Sequence, residues 1–332
     1  MEKAKKFSLN FIKMIILPLI VYLIFFIICR IQGADKFGVG TDLMVIFRTT
    51  IYTGFIALAV SYNLTSGRFD FSIGAVLILS TILGVNISLQ LGLGAVPMLM
   101  LCLISGAVLG TISGFVYIIL RLPPMIVSLG VAMVYEAIGF IITKGKGASL
   151  IGRDEMLIWS KQPYIYILCI VILIVLFVLL NKTQFGFNTN SLRSGQQIAV
   201  NTGINEKTNT IICYAIAGVL LAGAGVISIS ILGTMPPNLG LTSIAYIQNA
   251  FLPMFIGNVL AKYGDRNTGV IIGSLTQSII TSAFGSLGIS SSWQMILNSI
   301  IVICFFAYAY NSYKIVEFEM FKQKKKKALE EE

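Results

Sequence analysis

The sequence predicts an all-α polytopic membrane protein, with about ten transmembrane helices and both termini cytoplasmic. Three observations predict it. The 332-residue chain is 56% hydrophobic and 11% charged, with a mean hydropathy of +0.88. A soluble domain carries about 25% charged residues, so this chain cannot cover a globular surface with polar groups. Second, it contains ten apolar runs long enough to span a bilayer core, which takes roughly 20 residues. They lie at about 11–31, 43–61, 71–91, 95–120, 124–143, 163–180, 210–232, 244–261, 269–288 and 291–311. They are too long and too uniformly apolar for the alternating strands of a barrel. Third, the basic residues are asymmetric. With the N-terminus inside, seventeen Lys and Arg fall in inner segments and six in outer ones. The inner set includes Lys3, Lys13, Arg68, Arg121, Arg193, Arg266 and Lys324–Lys327, and the outer set includes Arg30, Lys36 and Lys161. That bias fixes orientation.

The first run has a basic flank but no small-residue cleavage site close behind it, so it reads as a retained anchor. The second carries Arg48 within its apolar stretch, and the fifth carries Glu136. A charge at a helix centre costs roughly 2.5–3.5 kcal/mol. These two residues are expected to pair as a buried buttress or to line a path. Asp70 and Ser72 stand where the third run begins, at an N-cap position. The fourth run holds Gly106, Gly110 and Gly114, a small-residue stripe for close helix packing within the chain or between subunits. Gly269 and Gly273 repeat it on the ninth. Pro123 and Pro124 start the fifth run, because proline opens helices and does not continue them.

Two connectors are polar. Residues 144–162 read as an outer loop with a short interfacial helix. Asn181–Asn209 is the longest polar stretch between the termini, and the charge count puts it in the cytoplasm. The C-terminal 322–332 segment reads as a solvated charged tail near anionic lipid. The chain as a whole, 1–332, reads as one transmembrane domain.

Much chemistry is excluded. The chain has no histidine, which removes Ser-His-Asp triads, Cys-His pairs and most zinc sites. No GxxxxGK[ST] loop occurs, so ATP is not bound by that route. The fourteen acids are scattered. The five cysteines lie in or near apolar runs without metal-ligand spacing and read as small core hydrophobes. The chain reads as a non-enzyme with no cofactor or metal. Topology accounts for the +10 net charge without nucleic acid, since no basic patch is interleaved with exposed aromatics.

Three motifs in register carry a resemblance. Gly67-Arg-Phe-Asp-Phe-Ser-Ile-Gly74, Leu122-Pro-Pro-Met-Ile-Val-Ser-Leu-Gly130 and Leu287-Gly-Ile-Ser-Ser-Ser-Trp-Gln-Met295 are similar to segments of the integral-membrane permease of bacterial ABC importers in the ribose/simple-sugar class. The resemblance covers about 45–310. It implies a permease that moves a small polar solute, most simply a sugar. It also implies cytoplasmic ABC ATPase subunits, an extracytoplasmic solute-binding protein and a second permease copy or paralogue as partners, in the bacterial cytoplasmic membrane.

The resemblance further gives Asn181–Asn209 a job. Thr183, Gly186, Gly195, Ala199, Gly203 and Ile204 fit the frame of a coupling loop, with departures at Phe187, Gln197, Ile198 and Val200. It implies a short helix docking in the ATPase, carried by Gly195, Gln196, Gln197, Ala199, Gly203 and Ile204. Asp70, Ser72, Ser128, Gln277 and Glu136 are the candidates for path or gate, since hydroxyls and amides suit a neutral polyol. The alternatives are a stand-alone secondary transporter or channel, an ABC permease for nucleosides or another non-sugar solute, and a membrane scaffold.

Overall fold

The computed structural model describes residues 2–64, 67–261, 263–304, 307 and 311, with side chains from residue 12 onward. The charged tail, Ser66 and Lys262 lie outside the described residues. Each of the ten apolar runs holds a helix: α1 (Glu2–Ile31), α2 (Gly40–Leu64), α3 (Ile73–Gln90), α4 (Ala95–Leu120), α5 (Pro124–Thr143), α6 (Tyr164–Lys182), α9 (Glu206–Leu232), α10 (Ala245–Leu260), α11 (Arg266–Ser286) and α12 (Ser291–Cys304). Two further helices, α7 (Gln184–Ser194) and α8 (Gln196–Asn201), fill the polar connector. Eight helices among the described residues are long and apolar enough to cross a membrane: α1 to α6, α9 and α10 with the turn before it. α11 has the length but mixes serine, threonine and glutamine into its apolar face.

α2, α3 and α9 form the centre. In α3 and α9, 72% of the most apolar stretch is buried, against 17% in α1 and 28% in α6. The outer helices therefore turn bare Leu, Ile and Phe outward: Ile20, Leu23, Ile104, Ile141, Ile170 and Phe177 are all exposed. In water such faces would be a liability, but in lipid they are matched to their solvent. α1 packs on α10 and α11 through Met14, Leu252, Ile256 and Phe284.

With lipid outside, helix association rests on close van der Waals fit. The glycine stripe of α4 supplies it against α9. A Cβ on Gly106 would collide with the carbonyl oxygen of Gly218, and one on Gly110 with that of Tyr214. Gly269 and Gly273 do the same for α11 against Gly257 and Pro253 of α10. Both stripes are thus used inside the chain, and the subunit-interface alternative does not hold for them. Many hydroxyls in these helices bond back to their own turn, as Thr50 donates to Ile46 O, Ser274 to Val270 O and Thr276 to Ile272 O. They are polar by sequence yet satisfied locally.

The 144–162 connector contains the expected short helix, a 3-10 helix over Asp154–Ser160. It is tied down by Trp159 Nε1 donating to Ala95 O at 2.9 Å and Ser160 Oγ donating to Ser230 O at 2.9 Å. A two-residue antiparallel ladder, β1 (Ala148–Ser149) with β2 (Thr234–Met235), joins this connector to the segment after α9. All five cysteines are free, and Cys29, Cys102 and Cys213 are buried.

Candidate functional site

Glu136 does not pair with Arg48. Its Oε1 accepts from the backbone N–H of Ser243 at 2.9 Å and its Oε2 from that of Leu241 at 2.8 Å. Both donors belong to the irregular stretch that enters a 3-10 turn (Thr242–Ile244) and then α10. Leu241 has φ 64°, a left-handed conformation that needs external support. A carboxylate accepting two N–H groups there satisfies both its own charge and two backbone donors. Arg48 is only partly buried, and Arg30–Asp35 is the one ion pair found among the described residues. Gly74 at the start of α3 completes the clamp, since any Cβ there would collide with Ser243 O.

Asp70 sits just before α3, 7% exposed. Its Oδ1 accepts from Ser72 N at 2.8 Å and Ser72 Oγ at 2.6 Å, and its Oδ2 from Asn63 Nδ2 at 3.4 Å. Burial pushes its carboxyl above the usual range, and the Ser72 bonds work against that. Ser72 is the N-cap of α3 but makes no side-chain cap, because its hydroxyl is turned to Asp70. Ser128 Oγ donates to Met125 O at 3.1 Å and reaches Phe69 O at 3.5 Å, joining the start of α5 to this segment. These three residues stabilise the α3 and α5 entries and line neither cleft described next. Phe69 of this segment touches Phe251 of the second cleft, ring centroids 5.8 Å apart.

Two clefts with polar side chains in their walls meet along α11 and α12. The first, 570 Å³, opens between the start of α2 and the end of α11 and is lined by Lys36, Asp42, Thr49, Ser278, Ser282 and Ser286. The second, more enclosed and so the inner cleft, 440 Å³, runs between α10 and α12; Gln248, Asn249, Ser291, Asn298 and Ser299 give it polar groups, and Ala245, Phe251, Met295, Val302 and Ile303 its apolar walls. Thr281 and Gln294 line both. No charged side chain lines the second cleft. Asp42 in the first is already engaged, accepting from Gly38 N at 2.8 Å and from the Ser282 hydroxyl. Gln277 lines neither, but its Nε2 donates to Thr281 Oγ1 at 3.3 Å while its Oε1 is buried without a partner. The sequence reading missed Gln248, Asn249, Gln294 and Asn298. A signal was there: Ser291, Gln294 and Asn298 recur at i, i+3 and i+7, one face of a helix.

At the other end of the bundle, α7 and α8 are held firmly. The α6–α7 turn is tight enough that a Cβ on Gly186 would collide with Leu180 O. Asn209 Nδ2 donates to Thr189 Oγ1 at 2.8 Å, pinning α7 to α9, and Gln196 Nε2 donates to Glu206 Oε1 at 2.7 Å. Gly195 separates the two helices in an extended conformation. Gly203, at φ 94°, makes the exit turn, and Ile204 N bonds back to Ala199 O at 3.2 Å. Ala199 faces inward, 5% exposed, while Ile198 stands out at 74% with Val200 and Phe187 also exposed. The exposed apolar surface of this polar loop is therefore made by Phe187, Ile198 and Val200, with Gln196 and Gln197 beside it.

Residues 43–306 match the family described as "Branched-chain amino acid transport system / permease component". Among curated relatives, the L-arabinose transport system permease protein AraH of Escherichia coli is 26% identical, over 94% of this chain and 92% of its own length. The ribose import permease protein RbsC of Bacillus subtilis is 26% identical over 79% of this chain and 82% of its own. The galactose/methyl galactoside import permease protein MglC of E. coli is 30% identical over 66% and 67%. No solved structure matches the chain. A bundle of membrane-length helices and a match across most of the sequence converge: the chain belongs to the family of ABC-importer permease components, the multi-pass membrane subunits that leave ATP hydrolysis to a separate subunit.

Proposed function

We propose that this chain conducts a neutral simple sugar across the cytoplasmic membrane through the two clefts that meet at Thr281 and Gln294. The observation that carries this is the lining of the inner cleft. Carboxamides and hydroxyls from Gln248, Asn249, Gln294, Asn298 and Ser291 form a wall of neutral donors and acceptors, with Phe251 beside it. A polyol offers many neutral hydrogen bonds and an apolar ring face, which suits such a wall. The relatives named for ribose, arabinose and galactose import support the class. A zwitterionic amino acid calls for fixed charges, which the inner cleft lacks.

In this reading both chain ends and the α7–α8 loop face the cytoplasm, as the basic asymmetry directs. Two copies, or this chain and a paralogue, stand side by side. A binding protein delivers the sugar at the cleft bearing Lys36 and Asp42. The ATPase receives Ile198 and Val200, with Gln196 and Gln197 at the rim and Gly195 and Gly203 as the flanking turns. Its closure moves α8 and, through α7 and α9, rocks the bundle between outward- and inward-open states.

The test is uptake into proteoliposomes holding this chain with its ATPase and binding protein. Labelled ribose, arabinose, galactose and fructose are offered singly, with leucine as the zwitterionic contrast. Uptake of at least one sugar and none of leucine supports the reading, and leucine uptake without sugar uptake refutes it.

A further inference from the structure

Three arginines converge at the α7–α8 end of the bundle, and among the described residues no carboxylate is in ion-pair contact with them. Arg68 precedes α3 and is 3% exposed, reaching the Cys213 thiol of α9. Arg193 ends α7 and lies over the Tyr62 ring, its guanidinium carbon 5.6 Å from the centroid. Arg266 opens α11 beside Asn267, whose Oδ1 accepts from Tyr62 OH at 3.1 Å. Five enclosed guanidinium nitrogens have no acceptor: Nε and Nη2 of Arg68, Nε and Nη2 of Arg193, and Nη1 of Arg266. The neighbouring acid, Asp265, caps α11 by accepting from Asn267 N at 3.1 Å and Thr268 N at 3.4 Å, and makes no ion pair with them. Burial and the nearby Arg266 hold the Arg193 guanidinium down to about 10. Enclosed donors without acceptors, in a cluster of like charges, are costly to leave unanswered.

A second feature abuts the cluster. An apolar groove of 340 Å³ runs between α6 and α11, lined by Ile170, Leu173, Ile174, Phe177 and Ile271, and ends at Asp265, Asn267 and Thr268. Asn267 is thus shared between the groove's end and the Tyr62–arginine cluster. Its apolar lining suits a hydrocarbon chain, and Asn267 at its end links it through Tyr62 to the arginine cluster.

We propose that Arg68, Arg193 and Arg266 bind the phosphate of an anionic phospholipid whose acyl chain lies in the α6–α11 groove. Guanidinium forks match phosphate oxygens in pairs, and basic pockets between helices at a membrane surface take anionic headgroups. The lipid would brace α7, and hence α8, against α11.

The full-length chain, purified in neutral detergent, is titrated with phosphatidylglycerol, with phosphatidylcholine of the same chain length and with inorganic phosphate. Thermal shift and native mass spectrometry read binding. Phosphatidylglycerol is expected to bind and stabilise, well ahead of both others. Arg193→Gln and Arg266→Gln should each weaken it roughly five-fold, and Ile174→Trp, which fills the groove, should weaken it while leaving phosphate unaffected. Should Arg193→Gln not fold, the partly exposed Arg266 carries the same reading. Equal binding of the two lipids, arginine variants that bind like the parent, phosphate alone giving the whole shift, or stabilisation by added ATPase subunit but not by lipid would each overturn the proposal.

Discussion

Glu136 on α5 and Ser243 before α10 are 107 residues apart in sequence and joined by a 2.9 Å hydrogen bond from the Ser243 N–H to the Glu136 carboxylate. The same carboxylate holds Leu241 N–H at 2.8 Å. An intramembrane acid here is a structural clamp on the entry to α10, the helix that supplies Gln248 and Asn249 to the inner cleft.

Replacing Glu136 with Ala leaves the buried Ser243 N–H without an acceptor, at about 1–3 kcal/mol, and the part-buried Leu241 N–H as well, at less. Glu136→Ala is expected to lower the midpoint of thermal unfolding in detergent sharply. Arg48→Ala, on a residue that is not its partner, should stay within about 0.5 kcal/mol of the parent. A large loss in Arg48→Ala would restore the ion pair that the geometry denies.

The α4–α9 contact predicts a graded response along one stripe. At Gly106 and Gly110 a new methyl meets backbone oxygens, which cannot move aside. At Gly114 the nearest atom is Ile211 Cα at 3.2 Å, a gap that a small shift relieves. Gly106→Ala and Gly110→Ala should each cost about 1–3 kcal/mol and Gly114→Ala less. Size-exclusion profiles of the fluorescently tagged chain after heating would order the three.

The coupling surface predicts a separation of function on adjacent residues. Ile198→Asp should abolish most ATP-driven uptake while membrane insertion and thermal stability stay at the parent's level, because Ile198 is 74% exposed. Ala199→Leu, on the inward side, should damage stability first. Arg193→Glu does not isolate the coupling surface, because Arg193 lies over the Tyr62 ring.

In the inner cleft, Asn298→Leu and Gln248→Leu should raise the sugar concentration needed for half-maximal uptake about ten-fold, as expected when one or two hydrogen bonds of about 1 ± 0.5 kcal/mol are lost. Ser128→Ala, outside both clefts, should leave that concentration unchanged. Uptake kinetics at saturating ATP would make the comparison.

The helices were legible because their cause is local. Lipid demands long apolar runs, Pro123 and Pro124 stop and start the chain, and α5 begins at Pro124 as that pair requires. The glycine stripes were legible for the same reason, although only the structure showed that their partners are Gly218 and Gly257. α7 was not legible as a helix. Its buried face is Gly186, Thr189 and Leu192, too small and polar to register as periodic. Its hydroxyls are satisfied on the helix itself, with Thr189 donating to Phe185 O and Ser191 to Phe187 O. The partner of Glu136 was hidden too. Charge suggested a cation, whereas the acceptor was taken by backbone donors that every residue carries. The α12 face of Ser291, Gln294 and Asn298 was legible in its spacing, but Gln248 and Asn249 gain companions only when α10 and α12 come together at one wall.

The most direct measurement is labelled-sugar uptake by proteoliposomes containing this chain, its ATPase and its binding protein. Uptake should require ATP on the side of the α7–α8 loop, fall to background without the ATPase, and ignore an imposed proton or sodium gradient. Gradient-driven uptake by the chain alone, in the absence of ATP, would contradict the account.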